Sequence, residues 1–170
     1  MSPLRDRLLE ALALKELPRA GWVRVGVRGP ESVAAHSWGV AWLVLVLCPS
    51  ELDRGKALAL AVLHDLPEIR VGDLTPSDGV DPARKSRLES EAMAAMAAGL
   101  PSSEELVDLW EDYEHVRSPE ARFVKACDKL DMALQAARYA GAQALDLGEF
   151  VDSALARLGP GLLRELAAEP

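Results

Sequence analysis

The stretch His64-Asp65-Leu66-Pro67-Glu68-Ile69-Arg70-Val71-Gly72-Asp73 follows Lys56-Ala57-Leu58-Ala59-Leu60-Ala61-Val62-Leu63. The leading run is dominated by strong helix formers and contains neither Gly nor Pro, so it predicts a helix. That helix delivers an imidazole and a carboxylate side by side at its last turn, near Leu66. Glu68 lies four residues after His64 and three after Asp65, and shares their face if helical geometry persists that far. Pro67 removes a backbone donor and is expected to end the helix there. Asp73 follows Gly72, where the chain is already turning. Imidazole nitrogen and carboxylate oxygen both suit a divalent transition ion. Taken alone, the doublet is better accounted for by a helix end carrying a solvated His and Asp.

Outward from this stretch, every segment reads helical. Ser2-Pro3 is a cap followed by Pro at the first helical position, and Leu4, Leu8, Ala11 and Leu12 form a stripe that ends before Pro18. Residues 18–31 read as an irregular loop rich in Gly and Pro, with Arg19, Trp22, Arg24 and Arg28 as its basic and aromatic content. Ser32 caps a helix to about Cys48, on which Trp38 and Trp42, four apart, are expected to pack in the core. Asp53 caps the next helix, and residues 71–80 read as a loop. Asp81-Pro82 opens a helix with Leu88, Ala92, Met96 and Leu100 spaced for burial. Ser102-Ser103-Glu104-Glu105 reads as a capping box for a helix carrying Leu106, Leu109 and Trp110, with His115 exposed at its polar end. Ser118-Pro119 starts a long helix to about Gly141. Gly148 and Gly159-Pro160-Gly161 bracket short terminal helices over residues 148–168. With no alternating run long enough for a strand, the fold class is all-α: one domain over residues 1–170, a bundle of about six to eight helices.

At 170 residues the chain can bury a real core without staples. Its longest apolar run, Val40 to Cys48, is far short of the roughly 20 residues a membrane span needs. No apolar stretch typical of a signal peptide follows the N-terminus. Cys48 and Cys127 both sit in core-like surroundings, as free thiols of a reducing cytoplasm do. A net charge of −8 argues against nucleic acid as partner, since that binding depends on Lys and Arg displacing counterions. It leaves room for a small phosphate ester, because a metal supplies positive charge locally.

Two further residues turn the His-Asp doublet into a pattern. His36 lies inside Pro30-Glu31-Ser32-Val33-Ala34-Ala35-His36-Ser37-Trp38, at the start of a helix. Asp128 lies beside an apolar stripe of Phe123, Val124, Cys127, Leu130, Ala133 and Leu134, where an unpaired carboxylate is costly. The order His, His-Asp, Asp resembles the HD-domain phosphohydrolase superfamily. Gly21-Trp22, Pro30-Glu31-Ser32-Val33, His64-Asp65-Leu66-Pro67-Glu68, Val71-Gly72-Asp73-Leu74-Thr75-Pro76 and Asp128-Lys129-Leu130-Asp131 are similar to its branch of small 5′-deoxynucleotidases. The resemblance covers roughly residues 5–140.

It implies that His36, His64, Asp65 and Asp128 hold one divalent ion, with Mn, Co, Fe, Ni or Zn fitting two imidazoles better than Mg. It further implies Glu68 and Asp73 as the catalytic carboxylates, with the division of roles between them open. Trp22, Arg19, Glu31 and Thr75 are implied as substrate contacts, and the bulk of Trp22 is expected to disfavour a 2′-hydroxyl. The implied substrate is a deoxyribonucleoside 5′-monophosphate, and the implied assembly is a cytoplasmic homodimer. Two departures stand out: Gly21 precedes Trp22 where relatives often carry Arg, and Ala35 precedes His36 where an acidic residue is common. Arg19, Arg24 and Arg28 are therefore the candidates for the phosphate. The competing readings are a longer nucleotide substrate, such as a triphosphate or an alarmone, or a degenerate domain serving in binding or dimerisation.

Overall fold

The computed structural model describes residues 3–169; the expected cap at Ser2 lies outside them. The chain runs through α1 (Pro3–Ala11), a 3₁₀ turn at Leu12–Lys15, α2 (Ala20–Arg24), α3 (Val33–Leu47), α4 (Arg54–Leu63) and α5 (Glu68–Val71). A second 3₁₀ turn at Pro76–Asp78 leads to α6 (Pro82–Ala97), α7 (Ser103–His115), α8 (Pro119–Gln143), α9 (Gly148–Arg157) and α10 (Leu162–Ala168). The fold is all-α, as the sequence predicts, and no strand occurs among the described residues.

The starts of the long helices are fixed by local chemistry. Side chains of Ser32, Asp53, Asp81 and Ser118 accept hydrogen bonds from the amides of Ala35, Lys56, Arg84 and Ala121. Each satisfies an amide that the first helical turn leaves without a partner. The capping box expected at Ser102 does not form: Ser102 is the N-cap residue at φ −106° and ψ 31°, and its side chain makes no cap bond. Those dihedrals are far from the extended conformation that aims a cap hydroxyl back at the turn.

α8 is the axis of the molecule and packs against α3, α4, α7, α9 and α10. Val124 and Cys127 meet Val40, Val44, Leu60 and Ala61 in the main core, while Leu130 and Ala133 join Ala154 and Leu158 on the side of α9. Three expected burials fail. Leu134 is exposed on α8, and α1 buries none of its side chains, so the Leu4, Leu8 and Leu12 stripe is half in solvent. Trp38 and Trp42 are not core: they are 70% and 53% exposed and stack on each other with ring planes 6° apart. The buried side of α3 is instead Val33, His36, Ser37, Val40 and Val44.

The loop expected over residues 18–31 is more ordered than its Gly and Pro content suggests. Arg19 N donates to Glu31 O and Val33 N to Leu17 O, at 3.0 and 2.8 Å, which fastens residues 17–19 to the start of α3. The short α2 then carries Trp22 inward.

Candidate metal centre

Three helices bring the candidate ligands together. His36 comes from the first turns of α3, His64 and Asp65 from the end of α4, and Asp128 from the middle of α8. One ligating atom each from His36, His64 and Asp65 lies within 4.8 Å of the other two. His64 Nε2 is 3.1 Å and His36 Nε2 3.7 Å from Asp65 Oδ2. Asp128 joins through Oδ1, 3.2 Å from His36 Nε2, while its Oδ2 receives Lys129 Nζ at 2.8 Å and Tyr113 OH at 3.4 Å.

His36 Nε2, His64 Nε2 and Asp65 Oδ2 are all buried, and none makes a well-formed hydrogen bond. Unsatisfied buried polar atoms are costly, and three that converge need a common partner. Separations of this size are close to the roughly 3 Å that ligands keep around an ion bound at about 2.1 Å. Nitrogen and oxygen donors of this kind fit a divalent transition ion. The other ring nitrogens are occupied: His64 Nδ1 lies 2.8 Å from Ala61 O, and His36 Nδ1 lies 2.7 Å from Asp131 Oδ2.

The electrostatics match a cation site. Burial works against the charged form of Asp65, but His64, His36 and Arg19 outweigh it and hold the carboxyl well below the usual range. Burial likewise opposes ionisation of Asp128, and Lys129 with the two imidazoles overcomes it. Burial and Arg19 disfavour a charged His36, yet the carboxylates of Asp128 and Asp131 raise it to about 9.

A cavity of about 750 Å³ opens over these groups, lined among others by Arg19, Trp22, Glu68, Asp73, Thr75 and Lys125. That volume accommodates a nucleotide-sized ligand. The helix α4 ends at Leu63, earlier than expected, and Pro67 caps α5 rather than terminating α4. The Glu68 side chain is buried at the cavity wall with Oε2 unpartnered, and burial, reinforced by Asp65 and Asp73, pushes its carboxyl up to about 10. Asp73 differs, because Oδ2 accepts from Ala20 N–H at 2.7 Å and Oδ1 lies 3.5 Å from Arg19.

Of the three candidate arginines, Arg19 reaches the centre, 3.9 Å from Asp65 Oδ2. Arg24 pairs with Glu149 on the cavity rim, and Arg28 is exposed away from it. Gly21 has a local reason: a β-carbon there would stand 3.2 Å from Phe150 Cε1. Trp22 lines the cavity and is buried between Phe150 and Tyr139, with ring centroids 4.3 and 5.4 Å away. Its Nε1–H donates to Glu31 Oε1 at 2.9 Å. Glu31 thus stands behind Trp22, near His36 and Asp131, and is not among the residues lining the cavity. Thr75 lines the rim and caps the 3₁₀ turn with Asp78.

Spacing left Tyr113, Lys125 and Phe150 unnoticed, because they reach the cavity from α7, α8 and α9. Asp131 closes the Asp128-Lys129-Leu130-Asp131 segment, and the resemblance assigns it no role. Its signal was the three-residue step from Asp128, which puts both on one face of α8.

A family model described as HD domain matches residues 11–165. The 5′-deoxynucleotidase HDDC2 of Homo sapiens is 41% identical over 128 residues, covering 74% of this chain and 63% of the human protein, so the chain spans less than two thirds of that relative. The 5′-deoxynucleotidase HDDC2 of Dictyostelium discoideum is 35% identical over 171 residues, covering 92% of this chain and 90% of its own. A crystal structure from Pyrococcus horikoshii OT3 superposes with a TM-score of 0.79 at 35% identity, covering 95% of this chain and 92% of that one.

Proposed function

The chain belongs to the HD domain family, and from that membership we propose that it is a metal-dependent phosphomonoesterase. In this reading it hydrolyses deoxyribonucleoside 5′-monophosphates to deoxyribonucleosides and phosphate. One observation carries it: three unpartnered buried ligand atoms, of His36, His64 and Asp65, converge beneath a cavity that also presents Arg19 and Glu68. The names of the human and Dictyostelium relatives support the substrate class.

An HD domain implies a divalent metal. His36, His64, Asp65 and Asp128 would hold it, as one Mn, Co, Fe, Ni or Zn ion. Bound there, such an ion supplies Lewis acidity, acidifying water and neutralising phosphate charge. The chain's own residues do the rest. Arg19, kept ionised by Asp73 and Asp65 against its burial, offers its guanidinium to the phosphate. Glu68 has a free oxygen at the wall and orients the attacking water; with a cation held beside it to offset Asp65 and Asp73, its carboxyl would ionise and take the water's proton. As the oxygen–phosphorus bond to the sugar breaks, the departing 5′-oxygen takes up a proton, supplied by the one Glu68 has accepted or by solvent water in the open cavity. Asp73 acts by holding Arg19 and the start of α2 in place. Trp22 closes the sugar side, where a 2′-hydroxyl would have to fit.

A longer phosphate chain is the second reading, because Lys85, Lys125 and Lys129 add cations to the cavity lining. Lys85 is matched by Glu89 and Lys129 by Asp128, however, which leaves little charge for extra phosphates. By family resemblance the proposed enzyme is a cytoplasmic homodimer; light scattering tests the dimer. The function is tested by assaying phosphate release from deoxyribo- and ribonucleoside mono- and triphosphates with manganese or cobalt present. The deoxy monophosphates should lead the ribonucleotides by roughly tenfold to a hundredfold. Preferential cleavage of triphosphates would overturn the assignment.

A further inference from the structure

We infer that Asp131 is the residue that positions the His36 imidazole for metal binding, and that Gly39 is glycine so that the Asp131 carboxylate has room to do so. This rests on the proposed role of His36 as a ligand, and it assigns work to two residues that coordinate nothing themselves.

Asp131 Oδ2 lies 2.7 Å from His36 Nδ1. In the neutral form that can bind a metal the imidazole carries a single proton, and a carboxylate can only accept, so the pair keeps that proton on Nδ1. Nε2 is then left with its lone pair, and Nε2 is the buried, unpartnered atom beside Asp65 and Asp128. His64 is oriented by a backbone carbonyl, Ala61 O. A carboxylate on the outer nitrogen does more than a carbonyl, because its charge also makes the ligand nitrogen more basic.

The helices are matched for this contact. His36 and Gly39 are three residues apart on α3, as are Asp128 and Asp131 on α8, so each pair shares a face. A β-carbon at position 39 would lie 2.1 Å from Asp131 Oδ1 and 2.9 Å from its Cγ. Gly39 is inside α3 and is not among the glycines of positive φ, so its backbone does not require glycine. Glycine weakens a helix interior. Its presence is accounted for by the carboxylate that fills the space of a methyl group. Glu31 also approaches His36 and Asp131, but its Oε1 takes the Trp22 Nε1–H. Asp131 is therefore the group on the ring.

The test uses the full chain, equilibrium dialysis with manganese, and melting of the metal-free protein. Asp131→Ala and Gly39→Ala should each weaken manganese binding about 10–100-fold, the usual effect of removing such a partner. Asp131→Asn, which still accepts from Nδ1–H without the charge, should fall in between. Gly39→Ala should lower the melting temperature in the wild-type background and leave it unchanged or raise it beside Asp131→Ala, where its methyl meets no carboxylate and alanine suits the helix better. Wild-type manganese affinity in a folded Asp131→Ala protein would overturn the inference. So would an equal cost of Gly39→Ala in both backgrounds, or two manganese ions in wild type against one in Asp131→Ala, which would make Asp131 a ligand. Should Gly39→Ala alone not fold, folding of the double variant with Asp131→Ala supports the inference and its failure to fold overturns it. His36→Ala separates the layers: normal manganese binding there sinks the metal site itself. Loss of binding there, with Asp131→Ala unaffected, sinks this inference alone.

Discussion

Glu68 and Asp73 enter with the same expected role and end in different surroundings. Both oxygens of Asp73 are engaged, by Ala20 N–H and Arg19, whereas Glu68 Oε2 is buried without a partner. A carboxylate with a free oxygen at the cavity wall can move a proton, and one with both oxygens engaged holds a scaffold. Glu68→Ala should therefore keep its metal and its melting temperature while turnover falls by about 10²–10⁴. Asp73→Ala should lower the melting temperature and weaken substrate binding, because Arg19 loses its nearer anchor. Single-turnover rates, metal content and melting curves for the two variants side by side decide it, and a fully active Glu68→Ala sinks the assignment. Trp22 needs a gentler probe than alanine. It is 2% exposed, so Trp22→Ala should cost roughly 3–5 kcal/mol in stability and confuse the readout. Trp22→Phe keeps much of the packing, and the deoxy-to-ribo ratio should fall; an unchanged ratio assigns Trp22 to packing. The site was legible where neighbours in sequence carry it, as in His64-Asp65. The indole's bond to Glu31 and the Phe150 ring against Gly21 depend on tertiary contacts that no spacing encodes.

Helix starts were legible because a cap is local: Ser32, Asp53, Asp81 and Ser118 each reach an amide three residues on. Faces were harder to read. α3 is apolar on nearly every side, so periodicity cannot say which side is buried, and Trp38 and Trp42 fell on the outer one. α2 escaped notice because it is five residues long with Gly21 inside it, too short for any periodic signal. Helix ends carry a separate liability. α8 stops at Ala144, which adopts φ 52° and ψ 41° and is exposed. That left-handed conformation costs an L-residue roughly 1–2 kcal/mol that glycine does not incur. Ala144→Gly should therefore stabilise the protein by about 1 kcal/mol, less the loss of glycine's greater freedom when unfolded, or roughly 2–4 °C at most in a chain of this size. A melting temperature at or below wild type would show that the strain is not present.

At the scale of the whole molecule, two junctions of buried charge among the described residues join the helices. Lys56 of α4 lies 2.7 Å from Asp112 of α7 and 3.8 Å from Glu120 of α8. Burial pushes the Asp112 carboxyl up, but the hydrogen bond and charge of Lys56 together with hydrogen bonds from the side chain and backbone of Ser118 outweigh it and hold it below its usual value. The sign follows: a depressed folded pKa gives stability that is present above the unfolded value of about 3.9 and is lost as pH falls through the folded one. In chelator, the acid limb of the stability curve should be flatter for Asp112→Asn than for wild type, and an unchanged limb would remove Asp112 from the account. The second junction is the candidate metal centre, which draws on α3, the end of α4 and α8. An ion held by three helices binds the folded chain and not the unfolded one, so it must stabilise by mass action. At a hundredfold excess of free manganese over its dissociation constant the gain is about 2.7 kcal/mol. For a chain of this length that raises the melting temperature by roughly 5–10 °C. Chelation should reverse the shift and abolish phosphatase activity, and adding manganese or cobalt should restore both. His64→Ala removes one of the converging nitrogens and should melt at the same temperature with and without metal. Wild-type melting curves that superpose with and without manganese would mean that no ion joins these helices, however well their side chains converge.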